Sequence, residues 1–448
     1  MRRTHVLRKT VTALAVGALF WASSPVAAAE EIPLSLGEAL ERAEKGNPDI
    51  QAARERATAQ GSRIESVERL RWPRLDLTMG WSRTDLPAMV FMGKLNAGEF
   101  TQNDFAIDSL NSPEPLSHLM TAVTVQAPVD VAGKVKAMSS AQAAVERAMQ
   151  AGTLEMLQEI RARVIEAYRN AELAGRAVAL TQRALQGAVA RERDIQAHVE
   201  EGSALQADLL RARSRRRQRE ADLAERRGQR RMAQAALTRL LGAEPGTLFN
   251  PIDAPVVPPP LEGELAAWTQ RALERRPVYA ATQEKREAAR WMRTAEDRAL
   301  LPDIGLFGQV QDDRNSPSNG KQSWAFGAML KWGAFDPGRG KRLAAAQADE
   351  RAAELETRSA ADQIRLEVEM AYRRAESARE RYAAAAGGAE EGREALRVLQ
   401  ERRQSGMATL TDELEAETAS LGAELAEIQA AAEAALADSA LKRAAGEL

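Results

Sequence analysis

One pattern occurs twice in this sequence, and the duplication limits the fold more than any other feature. A glycine followed six residues later by an aspartate occurs at Gly202 and Asp208, and again at Gly406 and Asp412. A glycine that ends one helix and an acidic residue that opens the next are typical of a tight turn between two helices. We therefore predict that the chain contains two copies of one helical hairpin.

The duplication covers most of the chain. Landmarks near the start of the first copy recur 229 residues later (277 − 48) in the second. They are Leu36, Pro48 and Pro73, matched by Leu265, Pro277 and Pro302. Further along, the offset falls to 204 residues (406 − 202), because the first copy carries a longer segment after Trp81. Each copy is predicted to contain a helix, two strands and two long helices, in that order.

The predicted parts follow from these landmarks. They are a secretory signal peptide at 1–29, a first structural repeat at 30–241, a Pro-rich connection at 242–264 and a second structural repeat at 265–448. The β-hairpins and long helices span about 74–130 and 134–241 in the first repeat, and about 303–333 and 340–446 in the second. Without a Pro from Lys134 to Glu201, and at 1.5 Å per residue, one helix there would be about 100 Å long. A globular core does not need this length, so we predict that the helices provide reach.

The N-terminal residues are typical of an export signal. Basic residues precede an apolar run from Val11 to Trp21, and the small residues Ala27, Ala28 and Ala29 follow it. This order of basic, apolar and small residues is that of a cleaved secretory signal. A membrane anchor is the alternative, but the apolar run is too short to span a bilayer as a helix. We therefore predict export and cleavage.

The amino-acid composition argues against several classes of function. The chain has no Cys, which excludes disulfides and thiolate chemistry. After removal of the signal, 58 basic residues (62 − 4) face 64 acidic ones, so there is no general reason to bind nucleic acid. Residues 203–241 carry 11 Arg and 4 acidic residues, whereas their duplicates at 407–445 carry 8 acidic and 2 basic residues. This opposite charge predicts that the two copies lie side by side.

Catalytic and metal-binding patterns do not stand out. The residues His5, His118 and His198 are far apart in sequence, and no Ser/His/Asp set or phosphate-binding loop is apparent. Methionines in and around the segment 82–120 would suit a soft metal ion such as Cu(I) or Ag(I). Scattered methionines more often serve packing, however. We predict no enzyme, no cofactor and no metal site.

A change of the apolar period to two marks the strands. The apolar stripes are Leu75, Leu77, Met79 and Trp81 in the first copy and Trp324, Phe326, Ala328, Leu330 and Trp332 in the second. Aromatic residues at the ends of such a stripe are typical of lipid-facing strands, although a half-buried sheet packed on helices shows the same alternation. Export, together with the lack of a later apolar run long enough for a membrane helix, favours a transmembrane β-barrel. Four strands cannot close one, so we predict an oligomer.

Short motifs punctuate both copies in the same order. They are Asn47-Pro48, Pro73 and Pro302 before the strands, Gly133 and Phe335-Asp336-Pro337-Gly338 after them, the two Gly-to-Asp turns, and Leu240-Leu241-Gly242. This order resembles that of the TolC family of outer-membrane efflux channels, over essentially the whole mature chain. The resemblance implies a mainly α fold with a transmembrane β-barrel, in which a trimeric, twelve-stranded barrel is continued by a periplasmic α-helical tube.

The resemblance also implies a function and its partners. A homotrimer embedded in outer membrane lipid would be the exit duct of a tripartite efflux or type I secretion system. An inner-membrane pump would feed it through a periplasmic adaptor (membrane fusion) protein. Small molecules or proteins would pass through it passively, and a gate would lie at its periplasmic tip. The alternative from the residues alone is an exported structural coiled-coil protein of the envelope without transport activity.

Positions around the two turns take their expected roles from the same resemblance. Asp412 and Glu415 correspond to carboxylates that ring the pore and form its gate. The family's latch joins the first-turn Asp, here Asp208, to a Tyr and an Arg near the second turn. This chain has Arg403 and Ala408 at those two positions, so its latch departs from the family pattern, and Arg403 is the residue left to bind Asp208.

The turns themselves are the expected docking points for the adaptor. The resemblance assigns this role to Gly202 and Ser203 in the first turn and to Gly406 and Met407 in the second. A structural role competes with the gate assignment, because Asp208 and Asp412 would each favour the start of a helix through its dipole even without a pore.

Overall fold

The computed structural model describes residues 31–254 and 257–448, so the signal peptide predicted at 1–29 lies outside the described residues. The helices are α1 (Leu36–Gly46), α2 (Pro48–Glu68), α3 (Pro87–Asn96), α4 (Ile107–Asn111), α5 (Lys134–Glu200), α6 (Gln206–Leu240), α7 (Leu265–Arg275), α8 (Pro277–Arg298), α9 (Arg339–Gln404) and α10 (Leu410–Ala444). The strands are β1 (Glu31–Leu34), β2 (Arg74–Thr84), β3 (Leu116–Val129), β4 (Leu248–Pro251), β5 (Asp303–Ser316) and β6 (Asn319–Lys331). Along these residues, none of the helices is long and apolar enough to cross a membrane.

Two long helical hairpins dominate the fold. Helices α5 and α9 contain 67 and 66 residues, and each is followed by a helix of 35 residues. At 1.5 Å per residue, α5 and α9 are each about 100 Å long. Each hairpin turns at a glycine with a positive φ, 79° at Gly202 and 76° at Gly406, a conformation that glycine adopts without a steric penalty.

The shorter helix in each copy is broken at a proline. Asn47 ends α1 and caps α2, since its side chain accepts a hydrogen bond from the Asp49 backbone N–H. Its Nδ2 donates to the Leu240 carbonyl at the end of α6, 3.2 Å away. The chain approaches itself closely here, because a Cβ built on Gly242 would lie 2.3 Å from the Gly46 carbonyl oxygen. This contact attaches the start of the first copy to the end of its long hairpin.

Each copy has its own apolar core near the middle of the helices. The first core surrounds Tyr168, Leu34 and Phe249, and the second surrounds Trp268, Val368 and Leu441. In the first core the Tyr168 hydroxyl donates to the Leu34 carbonyl over 2.9 Å, and burial raises the pKa of Tyr168 to about 12. The strands β1 and β4 pair in parallel beside this core. From the sequence only an extended connection is expected at 242–264, and the pairing of β1 with β4 is not predicted.

A four-stranded antiparallel sheet lies at one end of the helices, in the order β2-β3-β5-β6. The pairing of β3 with β5 joins the two copies into one sheet. The register places the apolar stripes on a single face, with Leu77 opposite Val123, Val123 opposite Val310, and Val310 opposite Trp324. The large side chains of β2 and β6 on this face are exposed, and the rings of Trp324 and Phe326 stack at 5.5 Å.

The longer segment of the first copy connects β2 to β3 and has structure of its own. It contains α3, a 3₁₀ turn at Gln102–Phe105 and α4. The rings of Phe91, Phe100 and Phe105 pack edge to face along it. The insertion follows Trp81 as predicted from the sequence, whereas its helices are not predicted.

Candidate functional site

The two hairpin turns lie together at the end of the helices away from the sheet. After Gly406 the chain closes α9 with two backbone hydrogen bonds, from Gly406 N to Arg403 O at 2.9 Å and from Met407 N to Arg402 O at 2.8 Å. The turn at Gly202 has the same pattern, which is typical of helix ends with a left-handed glycine. Leu410, which starts α10, packs on a small core that joins α5 to α6. The turns of the two copies therefore form one tip.

Asp412 has a local structural role at this tip. Its carboxylate accepts hydrogen bonds from the Thr409 backbone N–H at 2.9 Å and the Thr409 hydroxyl at 2.7 Å, which forms a capping box at the start of α10. These bonds hold the pKa of Asp412 below its ordinary value of 3.8. Asp412 and Glu415 both remain exposed to solvent. The exposure leaves both carboxylates accessible to ions.

Arg403 contacts two acidic residues that the sequence analysis did not single out. Its guanidinium group forms ion pairs with Glu413 on α10 and, at 3.8 Å, with Asp194 on α5. Asp208 instead pairs with Arg211 on its own helix, 3.3 Å away. Within one chain Arg403 therefore bridges to the first copy through Asp194, and its predicted bond to Asp208 stays a prediction.

Glu413 is the buried centre of a cluster of charged side chains at the tip. It is 4% exposed, and besides Arg403 it binds Arg191 of α5, whose Nη2 lies 2.9 Å from Glu413 Oε1. Arg191 also pairs with Glu417, one turn further along α10. We call Arg191, Asp194, Arg403, Glu413 and Glu417 the tip ion-pair cluster. It joins three helices, with α5 from the first copy and α9 and α10 from the second.

The cluster is costly to disrupt for a physical reason. A hydrogen bond to a charged group contributes about 1.5–3 kcal/mol, and removal of the buried Glu413 charge leaves Arg191 and Arg403 with one acidic partner each. The two copies are thus held together by charge at the tip as well as by apolar packing.

The amino-acid sequence matches a family model described as outer membrane efflux protein, over residues 39–243 and 268–447. The chain belongs to this family. No curated protein matches the sequence closely enough to count as a relative. Proteins of the outer membrane efflux family are outer-membrane channels and not enzymes, and the chain is assigned to the outer membrane on this ground.

Solved structures of outer-membrane channels share the fold of this outer membrane efflux protein. A membrane protein from Pseudomonas aeruginosa is 23% identical, with a TM-score of 0.76, over 92% of this chain and 93% of that chain. The outer membrane protein VceC from Vibrio cholerae is 18% identical, with a TM-score of 0.74, over 92% and 96%. The open state of the MtrE channel from Neisseria gonorrhoeae is 20% identical, with a TM-score of 0.74, over 99% and 98%. The arrangement of long helical hairpins and sheet is therefore that of outer-membrane efflux channels.

A second contact between the copies of this efflux protein lies further from the tip. Arg219 of the Arg-rich helix α6 is buried, and its Nη2 lies 3.5 Å from the Thr418 hydroxyl of the acidic helix α10. Helix α10 also packs along α5. This contact joins a charged to a neutral side chain and is not an ion pair, so the predicted attraction between the basic and acidic duplicates stays a prediction.

The spacing of acidic residues on α10 is a sequence signal for the tip ion-pair cluster. Glu413 and Glu417 lie four residues apart, and the same spacing leads from Glu417 to the buried Leu421. An acidic pair on an otherwise apolar helical stripe indicates buried charges that need partners. Among the described residues, no group of three or more His, Cys, Asp or Glu side chains is arranged to hold a metal ion.

Proposed function

We propose that this outer membrane efflux protein is a passive exit duct of a tripartite efflux or type I secretion system. The observation that carries the proposal is a sheet with one continuous exposed apolar face, at one end of helices about 100 Å long. An apolar band ended by aromatic residues suits lipid, and helices of this length suit a tube that crosses the periplasm. The inner-membrane pump would supply the energy.

The functional unit would be a homotrimer. The strands β2 and β6 are the two edges of the sheet, and each leaves a row of backbone N–H and C=O groups unpaired within the chain. Hydrocarbon does not tolerate such edges. Pairing of β6 in one chain with β2 in the next satisfies them, and three chains of four strands form a closed twelve-stranded barrel in outer membrane lipid.

The gate would lie at the tip and combine two sets of charges. Asp412 and Glu415 of three chains would form a ring of carboxylates that attracts cations and whose members repel one another. Against this repulsion the tip ion-pair cluster would hold the second hairpin to the first. Arg403 would then act through Glu413 and Asp194, and its bond to Asp208 would form between neighbouring chains.

The exposed turns would receive the periplasmic adaptor. Gly202, Ser203, Gly406 and Met407 are all accessible, and Met407 is 73% exposed beside the polar turn. An exposed methionine is adaptable in shape and suits an apolar contact with a partner protein. No atom lies within 4 Å of a Cβ built on Gly202 or Gly406, so the backbone at both turns is open to close approach by a partner.

The test is ion conductance of the purified protein in planar lipid bilayers. Replacement of Asp412 by Asn and Glu415 by Gln removes both charges and keeps the hydrogen-bond acceptor of the capping box. We expect a lower preference for cations in this double variant. The matched control is Glu390→Gln with Glu391→Gln, which removes the same charge from exposed sites of α9 far from the turn.

Two results would count against these proposals. Unchanged ion selectivity in the tip variant would remove Asp412 and Glu415 from the pore. A protein that fractionates with soluble material and does not conduct would refute the duct itself and support a structural coiled-coil protein instead.

A further inference from the structure

The segment 87–98 lies across the polar face of the four-stranded sheet. A Cβ built on Gly93 would lie 2.9 Å from Leu116 Cδ2 and 3.5 Å from His118 Nδ1, both on β3. At the other end of the segment, a Cβ built on Gly98 would lie 3.0 Å from Lys321 Cδ on β6. The φ of Gly98 is 70°. Val90 is only 2% exposed in this position. We call residues 87–98 the crossing segment.

Asn315 of β5 fastens the crossing segment to the sheet, and His118 of β3 contacts Asn315 in turn. Asn315 Nδ2 donates to the Gly93 carbonyl at 3.2 Å and to Glu99 Oε2 at 2.9 Å. Both partners are acceptors, so the amide nitrogen must point toward them. The amide oxygen of Asn315 therefore faces His118 Nδ1, 2.9 Å away.

The other ring nitrogen of His118 also faces an acceptor. His118 Nε2 lies 3.0 Å from Asp313 Oδ1, and Asp313 is 1% exposed. Both carboxylate oxygens of Asp313 accept from Gln311 Nε2, at 3.0 and 2.8 Å. Neither partner of the imidazole can donate a hydrogen to it.

The two contacts of His118 are satisfied together by one form of the imidazole only. A neutral imidazole has one N–H and one acceptor nitrogen, whereas the cation has two N–H groups. Only the cation satisfies both Asn315 and Asp313. Loss of one proton from the cation leaves one ring nitrogen without a hydrogen and breaks one of the two bonds.

Other charged groups also lie around His118. Asp313 on β5 and Glu99 after α3 are acidic residues, and Lys321 on β6 is basic. Lys94 of α3 pairs with Asp104 at 2.7 Å. That hydrogen bond, with those from Thr101, holds the pKa of Asp104 at about 2, so Asp104 stays charged over the same range of pH.

We propose that the crossing segment is a pH-sensitive lid at the outer mouth of the channel, held closed by protonated His118. The inference rests on the proposed duct, in which the polar face of the sheet lines the channel, and it concerns the end opposite the gate. In acid, His118 donates to Asn315 Oδ1, which leaves Asn315 Nδ2 to hold the lid to β5. Once His118 is neutral and keeps its hydrogen for Asp313, Nδ1 becomes an acceptor. The Asn315 amide then turns its nitrogen toward the ring and loses its bonds to Gly93 and Glu99, and the lid opens.

The first test uses the absence of cysteine in the chain. A single cysteine at Val90 reports the lid, and a single cysteine at Ile107, which is 74% exposed, corrects for the pH dependence of thiol chemistry. Both react with a membrane-impermeant thiol reagent added outside. Loss of one hydrogen bond to a charged group predicts that the ratio of the two rates rises at least about tenfold from pH 5.5 to pH 8. An unchanged ratio in this background, where His118 is intact, overturns the proposal.

Variants of the cluster assign the effect to His118. In His118→Gln the ratio should not depend on pH, whereas His198→Gln, at the tip, should behave as the wild type. Asp313→Asn removes the negative partner, which should move the midpoint of the response to lower pH. A response that persists in His118→Gln overturns the proposal.

Conductance in planar bilayers separates this proposal from the duct on which it rests. We expect wild-type conductance to increase from pH 5.5 to pH 8 and that of His118→Gln to stay constant. Channels whose conductance does not depend on pH would overturn the lid alone. Absence of conductance would refute the duct, and the thiol rates would still decide whether the segment opens.

Discussion

Glu413→Gln isolates the contribution of the tip ion-pair cluster to gating. The change keeps the shape of the side chain and removes its charge. Glu413 is buried between Arg191 and Arg403, so both lose a charged acceptor. Neither Arg is left without a partner, because Arg191 keeps Glu417 and Arg403 keeps Asp194.

The expected magnitude follows from these contacts. Two hydrogen bonds to a charged group contribute about 3–6 kcal/mol in total if their loss is uncompensated. The remaining acidic partners and the amide oxygen of Gln reduce the loss to about 2–3 kcal/mol. If the cluster forms only in the closed tip, the ratio of open to closed channels rises roughly 30- to 150-fold, because about 1.4 kcal/mol corresponds to a factor of ten.

The assay is the open probability of single channels in planar bilayers. Glu427→Gln is the matched control, because Glu427 pairs with Arg393 between the same helices, α10 and α9, at an exposed position. Exposed ion pairs contribute at most about 1 kcal/mol, so the control should change the open probability about fivefold or less. If Glu413→Gln opens the channel no more than this control does, the cluster does not hold the gate.

Three further predictions concern stability and pH. Gly242→Ala should destabilise the protein by more than about 3 kcal/mol, because the new Cβ would clash with backbone atoms at a residue whose φ is positive. The control Gly228→Ala adds a Cβ in open space on α6 and should be neutral or stabilising. Thermal unfolding in detergent compares the two variants. Tyr168→Phe removes the buried bond to the Leu34 carbonyl and should cost about 1–3 kcal/mol in the same assay. The pKa of Asp412 is lowered in the folded protein, so its charge should stabilise the tip and favour cations at any pH above its unfolded pKa. Both effects should be lost as the pH falls through the folded pKa, which lies below 3.8. Reversal potentials measured against pH test this, and loss of cation selectivity well above pH 4 would contradict it.

The repeated architecture could be read from sequence because its signals are local. A glycine at a helix end, a proline that breaks a helix and an alternation of period two each act within a few residues. Gly202 and Gly406 have the positive φ that such turns need, and the stripe from Trp324 to Leu330 lies on one face of β6. The capping box of Asp412 was also readable, since Thr409 precedes it by three residues.

The partners of the charged residues could not be read in this way. Arg403 finds Asp194 on a helix whose sequence lies about 200 residues away, and only the packing of α5 against α9 and α10 brings the two together. His118 and Asn315 meet across β3 and β5 for the same reason. Periodicity indicates which residues share a face, but it does not identify the element that covers the face.

The equal lengths of the duplicated helices restrict how this protein can change in evolution or in the laboratory. The pairs α5 and α9 differ by one residue, and α6 and α10 have 35 residues each. A heptad inserted into one hairpin alone would move its turn about 10 Å beyond the other and separate Arg191 from Glu413. Longer or shorter variants of the protein should therefore carry paired insertions or deletions, one in each copy. The length of the helical part can change only when both hairpins change by the same number of residues.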